Sequence, residues 1–364
     1  MKQQNAGRPV LNLVCAEVWG GGEQYVHDIC AELKKRGLTS YVAVDQTNKD
    51  FQQRYGEVAP VLCADFYHLH GFLSLRKLAR EIQANHIGTV YCHSGKMMPL
   101  CLALKKMTGV KLVFFKHNTV PAKFDWYHRY ARRHTDATIC VSLLVYELQV
   151  TGLSEAEKQK FHLVYNGINP ERFNKYPPPA GHGAAYIVGY AGRMAANKGL
   201  DILVAAMKEA HRLHGDIVLY LAGADEDNYY RQVESYIRQY RMEKYVSYTG
   251  LEKDMEKFYK GLDLFILPSS VKEAFGLVLC EAMYCGVPVI TSASGAQAEI
   301  ITDQVNGILL SDLTVESLTK TILALYRDRE KSRRLAEAGR SAILQHFTID
   351  RTVDGILQVQ TMLE

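Results

Sequence analysis

The sequence predicts an α/β protein made of two doubly wound parallel-sheet domains, and three observations carry that prediction. Short β-branched runs alternate with helical patterns along the whole chain. The alternation stops at one proline-rich break and then restarts. The chain has 364 residues, and single hydrophobic cores stop growing at roughly 250 to 300 residues, so a chain of this length divides. Hydrophobic residues make up 48%, charged residues 23% and aromatics 10%. That composition excludes disorder, collagen and coiled coil.

In the first half, strands are expected at Leu11–Ala16, Thr39–Val44, Thr89–Cys92, Lys111–Phe115, Thr138–Val141 and Phe161–Val164, with helices such as Glu23–Arg36 and Ser74–Asn85 between them. The break is Tyr176-Pro177-Pro178-Pro179-Ala180-Gly181-His182-Gly183, where three prolines donate no backbone hydrogen bond and the glycines resist a regular element. Strands resume at Tyr186–Tyr190, Ile217–Ala222, Val246–Thr249, Leu264–Leu267, Pro288–Thr291 and Gly307–Leu310. Helices Gly199–His214, Asn228–Arg241 and Val315–Arg327 carry apolar residues at three- and four-residue spacing, as helices on a sheet require. A helical tail starts at Asp328 and breaks near His346-Phe347-Thr348. This gives an N-terminal domain at 1–176, a linker at 177–183, a C-terminal domain at 184–347, and a last helix at 348–364 expected to pack back on the first domain. Two such halves facing across a cleft would bind ligands at the carboxyl ends of their strands.

No stretch approaches 18 uninterrupted apolar residues, and Met1–Pro9 lacks the pattern of a secretion signal, so a cytoplasmic protein is expected. Eight cysteines without a C-x-x-C pair, several inside apolar runs, read as buried free thiols. Net charge is +4 in total, with +8 in residues 1–180 and −4 in residues 181–364. Solvated surface accounts for any single basic cluster. An anionic partner of the first half, such as a phosphorylated acceptor or a lipid headgroup, would account for the asymmetry. No basic-aromatic module for nucleic acid is found.

Three motifs carry chemistry. Trp19-Gly20-Gly21-Gly22-Glu23 follows the first strand and opens a helix, where glycines allow backbone approach and free N–H groups attract phosphate. A tight turn would also explain these glycines, and no G-x-G-x-x-G runs through them, which argues against a nicotinamide cofactor and so against an oxidoreductase. Gly192-Arg193-Met194-Ala195-Ala196-Asn197-Lys198-Gly199 ends the first strand of the second half, so that Arg193 and Lys198 can converge on a diphosphate. In Glu273-Ala274-Phe275-Gly276-Leu277-Val278-Leu279-Cys280-Glu281, two glutamates bracket a glycine that starts a helix. The N–H groups of Ala274, Phe275, Gly276 and Leu277 are its expected open donors. The apolar flanks of Glu281 require a hydrogen-bonding partner for its carboxylate. Asp225-Glu226-Asp227 matches a D-x-D metal pattern, but an acidic surface loop is the favoured reading, since Arg193 and Lys198 already supply positive charge.

Glu273 and Glu281 form an E-x7-E motif. With the stretch to Gly286-Val287-Pro288-Val289-Ile290, Tyr165-Asn166-Gly167-Ile168, Gly192-Arg193 with Lys198 and the first glycine loop, the chain resembles the retaining glycosyltransferases of family 4, of GT-B fold. The resemblance covers nearly the whole chain. It implies that Arg193 and Lys198 hold the donor diphosphate and that Glu281 holds the ribose. Glu273 and the backbone of Ala274, Phe275, Gly276 and Leu277 would hold the transferred sugar, and Gly21 and Gly22 would approach the phosphates. His117 would bond the sugar's 6-hydroxyl, although Asn118 stands where the family usually has an acidic residue.

The activity so implied is transfer of a hexose-type sugar with retention, from a UDP-sugar to a glycan or lipid-linked acceptor, in cell-surface polysaccharide or glycolipid synthesis. No metal or other cofactor is expected, and no nucleophile is evident on the sugar's opposite face. Domain closure is expected about a hinge near Tyr176–Gly183. Acceptor choice would fall to loops including Ala64–Phe72 and His93–Pro99, with peripheral contact at the anionic inner membrane face. A nucleotide-sugar epimerase of the same fold and a non-catalytic partner subunit are the alternatives.

Overall fold

The computed structural model describes residues 8–66, 71–177, 183, 185–225 and 228–364. They form two compact units: Met1–Gly167 with Ile349–Glu364, and Ile168–Thr348.

The first unit has a seven-stranded sheet made of β1 (Val10–Leu13), β2 (Ser40–Asp45), β3 (Val61–Ala64), β4 (Thr89–Cys92), β5 (Lys111–Lys116), β6 (Ala137–Cys140) and β7 (Phe161–Leu163). Every pairing is parallel and the strand order is 3-2-1-4-5-6-7. β1, β4 and β6 are buried along their full length, the mark of strands covered by helices on both faces. On one side Leu78, Ile82, Cys101 and Leu104 of two helices fill the space over Leu11, Leu13, Val90 and Leu112. β3, an edge strand pairing only with β2, lies outside the strands expected from the sequence. Its four residues, VLCA, carry no alternation to set them apart from a loop.

The last helix, Ile349–Leu363, lies on this first unit. Arg36 pairs with Asp354 at 2.6 Å, Thr352 donates to the carbonyl of Tyr165 at 2.9 Å, and the hydroxyl of Tyr91 donates to Gln360 Oε1 at 3.0 Å.

The second unit repeats the plan with β8 (Tyr186–Ala191), β9 (Ile217–Ala222), β10 (Val246–Tyr248), β11 (Leu264–Leu267), β12 (Val289–Ser292) and β13 (Ile308–Leu310), all parallel, in the order 10-9-8-11-12-13. In both sheets the winding reverses next to the first strand, between β1 and β4 and between β8 and β11. Those reversal points are where an open α/β sheet leaves room for a ligand.

The division falls at Gly167, not at the prolines. Residues 168–176 belong to the second unit because their backbone is held there. Glu256 accepts from the N–H groups of Lys175 and Tyr176 at 3.0 and 2.9 Å, and Lys260 donates to the carbonyls of Phe173 and Tyr176. Burial alone would raise the pKa of Glu256, but the Lys260 ammonium and these two N–H groups bring it below the ordinary carboxylate value. Of the expected linker and hinge, residues 178–182 lie outside the described residues, as do residues 67–70 of the loop at Ala64–Phe72. All eight cysteines are free thiols, six of them buried. Among the described residues no helix is long and apolar enough to cross a membrane.

Candidate active site

In the second unit, the segment after β8 and the segment after β11 meet at the reversal point of the sheet. The chain leaves β8, makes a short turn at Ala196–Lys198 and enters helix Leu200–Leu213 through Gly199. Gly199 has φ +67°, and a Cβ there would lie 1.9 Å from the carbonyl oxygen of Pro268, so glycine is required by both conformation and contact. That contact presses the Lys198 turn onto the end of β11. Lys198 Nζ lies 2.6 Å from Glu273 Oε1, with the two side chains only 15% and 17% exposed. Ser269 Oγ also donates to Glu273 Oε1. Arg193 is exposed on the same segment, and its carbonyl accepts from the Tyr190 hydroxyl at 2.9 Å.

A third segment locks Glu273 from behind. The N–H of Ala296 donates to the Glu273 carbonyl at 3.0 Å, and a Cβ at Gly295 would fall 2.4 Å from the Glu273 nitrogen. Gln297 is fully buried. Its Nε2 donates to Ser294 at 3.2 Å and its Oε1 has no hydrogen-bond partner. A cation, a carboxylate, a hydroxyl and an unsatisfied amide oxygen thus gather at one strand junction. Such a set can bind a phosphate through Lys198 and sugar hydroxyls through Glu273.

The helix after Glu273 runs from Leu277 to Tyr284 with Gly276 as its N-cap, which corrects the expected donor set. The N–H groups of Leu279 and Cys280 turn back to the Gly276 carbonyl, so those of Leu277 and Val278 are the first-turn donors left without an intrahelical acceptor. Ala274 and Phe275 precede the helix. Glu281, on the fifth residue of the helix, has the partners its burial demands: the Tyr259 hydroxyl donates to Oε2 at 2.8 Å, and Arg172 reaches Oε1 at 3.4 Å. Burial and the Glu281 charge push the Tyr259 phenol well above its ordinary pKa. Asp225 accepts from the N–H of Tyr230 at 3.0 Å, as a turn residue does, while Glu226 and Asp227 lie outside the described residues. Among the described residues no cluster of three metal-ligating side chains is found.

In the first unit the corresponding strand ends carry a histidine chain. Asn12 of β1 is fully buried and its Nδ2 donates to the Tyr41 carbonyl at 3.3 Å, so its Oδ1 is an acceptor. His93, just after β4, meets that oxygen through Nε2 at 3.0 Å and meets His117 Nε2, just after β5, through Nδ1 at 3.2 Å. Donor and acceptor roles then follow in order. His93 carries its proton on Nε2, so its Nδ1 accepts from His117 Nε2–H, leaving His117 Nδ1 as a lone pair. Burial pushes the His117 pKa down to about 4, and burial with the neighbouring ring depresses that of His93, so both rings are neutral near pH 7.

Gly21 and Gly22 form the first turn of helix Gly21–Lys35, two residues earlier than the sequence pattern placed its start. A Cβ at either would meet nothing within 4 Å, so the fold itself does not require glycine there. Asn12, Arg172, Tyr259, Ser269 and Gln297 had no role expected from the sequence, and His93 was expected only as part of an acceptor loop.

Two family models and several known proteins match this chain. The family model described as Glycosyltransferase Family 4 matches residues 19–172, and that described as Glycosyl transferases group 1 matches residues 174–342. A glycosyltransferase of Methanocaldococcus jannaschii is 27% identical over 241 residues, 65% of this chain and 62% of that protein. The lipopolysaccharide 1,2-N-acetylglucosaminetransferase of Salmonella typhimurium is 27% identical over 172 residues, 45% of each chain. The chain therefore spans between about half and three fifths of these curated relatives. Among solved structures, Anabaena HepE in complex with UDP and glucose superposes with a TM-score of 0.82 at 21% identity, covering 97% of this chain and 99% of that one. That match fixes the GT-B fold of paired Rossmann-like units.

Proposed function

The chain belongs to the group 1, family 4 glycosyltransferases, and from that premise we propose that it transfers a hexose from a UDP-sugar to a glycan or lipid-linked acceptor with retention of anomeric configuration. The observation that carries the reading is the Lys198–Glu273 pair at the β8/β11 reversal point. It puts a cation suited to a diphosphate beside a carboxylate suited to sugar hydroxyls. UDP and glucose in the HepE complex support uridine as the base and a hexose as the sugar.

In the proposed reaction the bond between the anomeric carbon and the diphosphate oxygen breaks while the acceptor oxygen bonds to the same face of that carbon. The acceptor proton passes to the departing phosphate. Negative charge then grows on the diphosphate. Lys198, Arg193 and the free N–H groups of Leu277 and Val278 stabilise it, as preorganised donors aimed at developing charge do. Every tenfold in rate requires about 1.4 kcal/mol of such preference for the transition state. Glu273 holds the sugar, Glu281 the ribose, and the Nδ1 lone pair of His117 accepts from a sugar hydroxyl, the 6-hydroxyl by resemblance. Gly21 and Gly22 admit the phosphates. With two cations assigned to the diphosphate, the reaction is proposed to need no metal, and cell-surface polysaccharide or glycolipid synthesis is the proposed setting.

The test is incubation with UDP-glucose, with and without a glycan acceptor, in chelator, followed by NMR of the anomeric proton. An α-linked product formed only with acceptor is expected. A β-linked product would refute retention. An isomerised or free sugar formed without acceptor would favour the epimerase reading.

A further inference from the structure

The surface of the first unit around helix Trp126–His134 differs from the rest of that unit. Trp126 is 75% exposed, and Val120, Phe124 and Tyr130 are exposed beside it. Trp126, Arg129, Tyr130 and Arg133 fall at i, i+3, i+4 and i+7, hence on one side of the helix, and all four are exposed. Residues 111–134 contain six lysines and arginines and a single acidic residue, Asp125. Asp125 is already occupied, capping the helix through the His128 N–H and bonding His128 Nδ1 at 2.6 Å.

Beneath the same helix lies a cavity of about 200 Å³ whose lining includes Lys116, Lys123 and Arg132 and no carboxylate. Lys116 ends β5 half-buried and makes no ion pair among the described residues, and burial together with Lys123 lowers its pKa. The Arg132 guanidinium stacks over Phe124 at 5.2 Å and donates through Nη1 to the Lys123 carbonyl, yet its Nε is buried with no acceptor. Lys116 and Arg132 are half-buried over a cavity with no carboxylate in its lining, although the charge of Arg132 also reaches the exposed Glu157 outside it, and cations so placed favour an anion within the cavity. The cavity is smaller than the roughly 300 Å³ at which pockets begin to enclose whole drug-sized ligands, so the anion is a headgroup and not an entire glycan.

We propose that this face docks on an anionic phospholipid bilayer, with Phe124, Trp126 and Tyr130 in the interfacial layer and a lipid phosphate held in the cavity by Lys116 and Arg132. Tryptophan and tyrosine settle at headgroup level because one part of the ring is apolar and another polar, and neighbouring arginines meet the lipid phosphates. A nucleic acid or an acidic protein would satisfy the arginines but gives no reason for the open aromatic row. The inference deepens the reading of a lipid-linked acceptor and rests on that reading only for its purpose.

The experiment is co-sedimentation of the full chain with phosphatidylcholine vesicles, with and without phosphatidylglycerol, at low salt. Binding at tenfold lower lipid or better with phosphatidylglycerol is expected. Lys116→Gln and Arg132→Gln should each weaken anionic-vesicle binding about fivefold. Trp126→Ser with Tyr130→Ser should weaken binding to both vesicle types. A UDP-induced thermal shift retained in every variant shows intact folding and reports the donor reading separately, so the two can fail independently. Three results would overturn the inference: no binding to anionic vesicles, binding that none of these variants alters, or displacement from the vesicles by millimolar glycerol 3-phosphate, which would make a free phosphate ester the ligand.

Discussion

The Lys198–Glu273 pair makes a prediction that separates donor chemistry from folding. The two groups are 2.6 Å apart and each is about one-sixth exposed, so breaking the pair costs less than the roughly 3–5 kcal/mol of a fully buried one. About 2 kcal/mol of stability is expected to go in either single variant, enough to leave both folded. A charge-assisted hydrogen bond to a ligand is worth about 1.5–3 kcal/mol, or roughly 10- to 150-fold in Kd. In Lys198→Gln the ammonium that would meet the diphosphate is gone, so UDP and UDP-glucose both weaken by that factor and the ratio of their Kd values stays constant. In Glu273→Gln the ammonium is released from its carboxylate, so UDP binds at least as well as before. UDP-glucose loses its sugar contact, and its Kd rises tenfold or more relative to that of UDP. Titration calorimetry with both ligands reads the ratio. Equal loss of the two ligands in Glu273→Gln, or an unchanged UDP affinity in Lys198→Gln, would refute the assignment.

Further outcomes follow from the same geometry. Gly199→Ala forces a left-handed conformation and a clash with the Pro268 carbonyl 1.9 Å away; a loss of at least about 2 kcal/mol in urea unfolding is expected, together with weaker UDP binding as the Lys198 turn shifts. Arg172→Met removes the guanidinium that faces the buried Glu281 carboxylate while the Tyr259 hydroxyl bond stays, which should cost about 1–3 kcal/mol in thermal unfolding. Because the folded pKa of His117 is about 4 against an ordinary 6.5, the unfolded chain takes up a proton first as pH falls. Its contribution to stability is full above pH 6.5 and is lost toward pH 4, at up to about 1.4 kcal/mol per pH unit. His117→Gln should remove that share of the slope. Asn12→Ala frees His93 to exchange tautomers, so kcat should fall about tenfold with little change in KM for the donor, and nitrogen-15 NMR should show His117 losing its single Nε2–H form.

Much of the fold and part of the site were legible in the letters, for identifiable reasons. Lys198, Gly199 and Glu273 stand out because they sit directly after strands whose apolar runs are easy to see, and because a parallel sheet gathers strand ends. The histidine chain was half legible. His117 follows a conspicuous strand, but Asn12 is an ordinary strand letter and His93 lies 24 residues away, so only the β1-β4-β5 order brings the three together. Arg172 and Tyr259 carry no local pattern either, since their meeting with Glu281 is fixed by packing across more than 100 residues for Arg172. The boundary was misplaced because prolines mark where regular structure stops, not which unit holds the chain. The grip of Glu256 and Lys260 on residues 173–176 decides that, and it lies some 80 residues further on.

The central claim, a metal-free site for a nucleoside diphosphate in the second unit, is tested most directly by thermal unfolding of the protein in chelator with UDP, GDP, ADP or CDP. A ligand bound at one hundred times its Kd adds about 2.7 kcal/mol to the stability of the unit that binds it. The account predicts a clear rise in Tm with UDP, and in Lys198→Gln at the same UDP concentration a stabilisation cut to about 0.3–1.4 kcal/mol. No rise with any of the four nucleotides, or a rise that requires manganese, would contradict it.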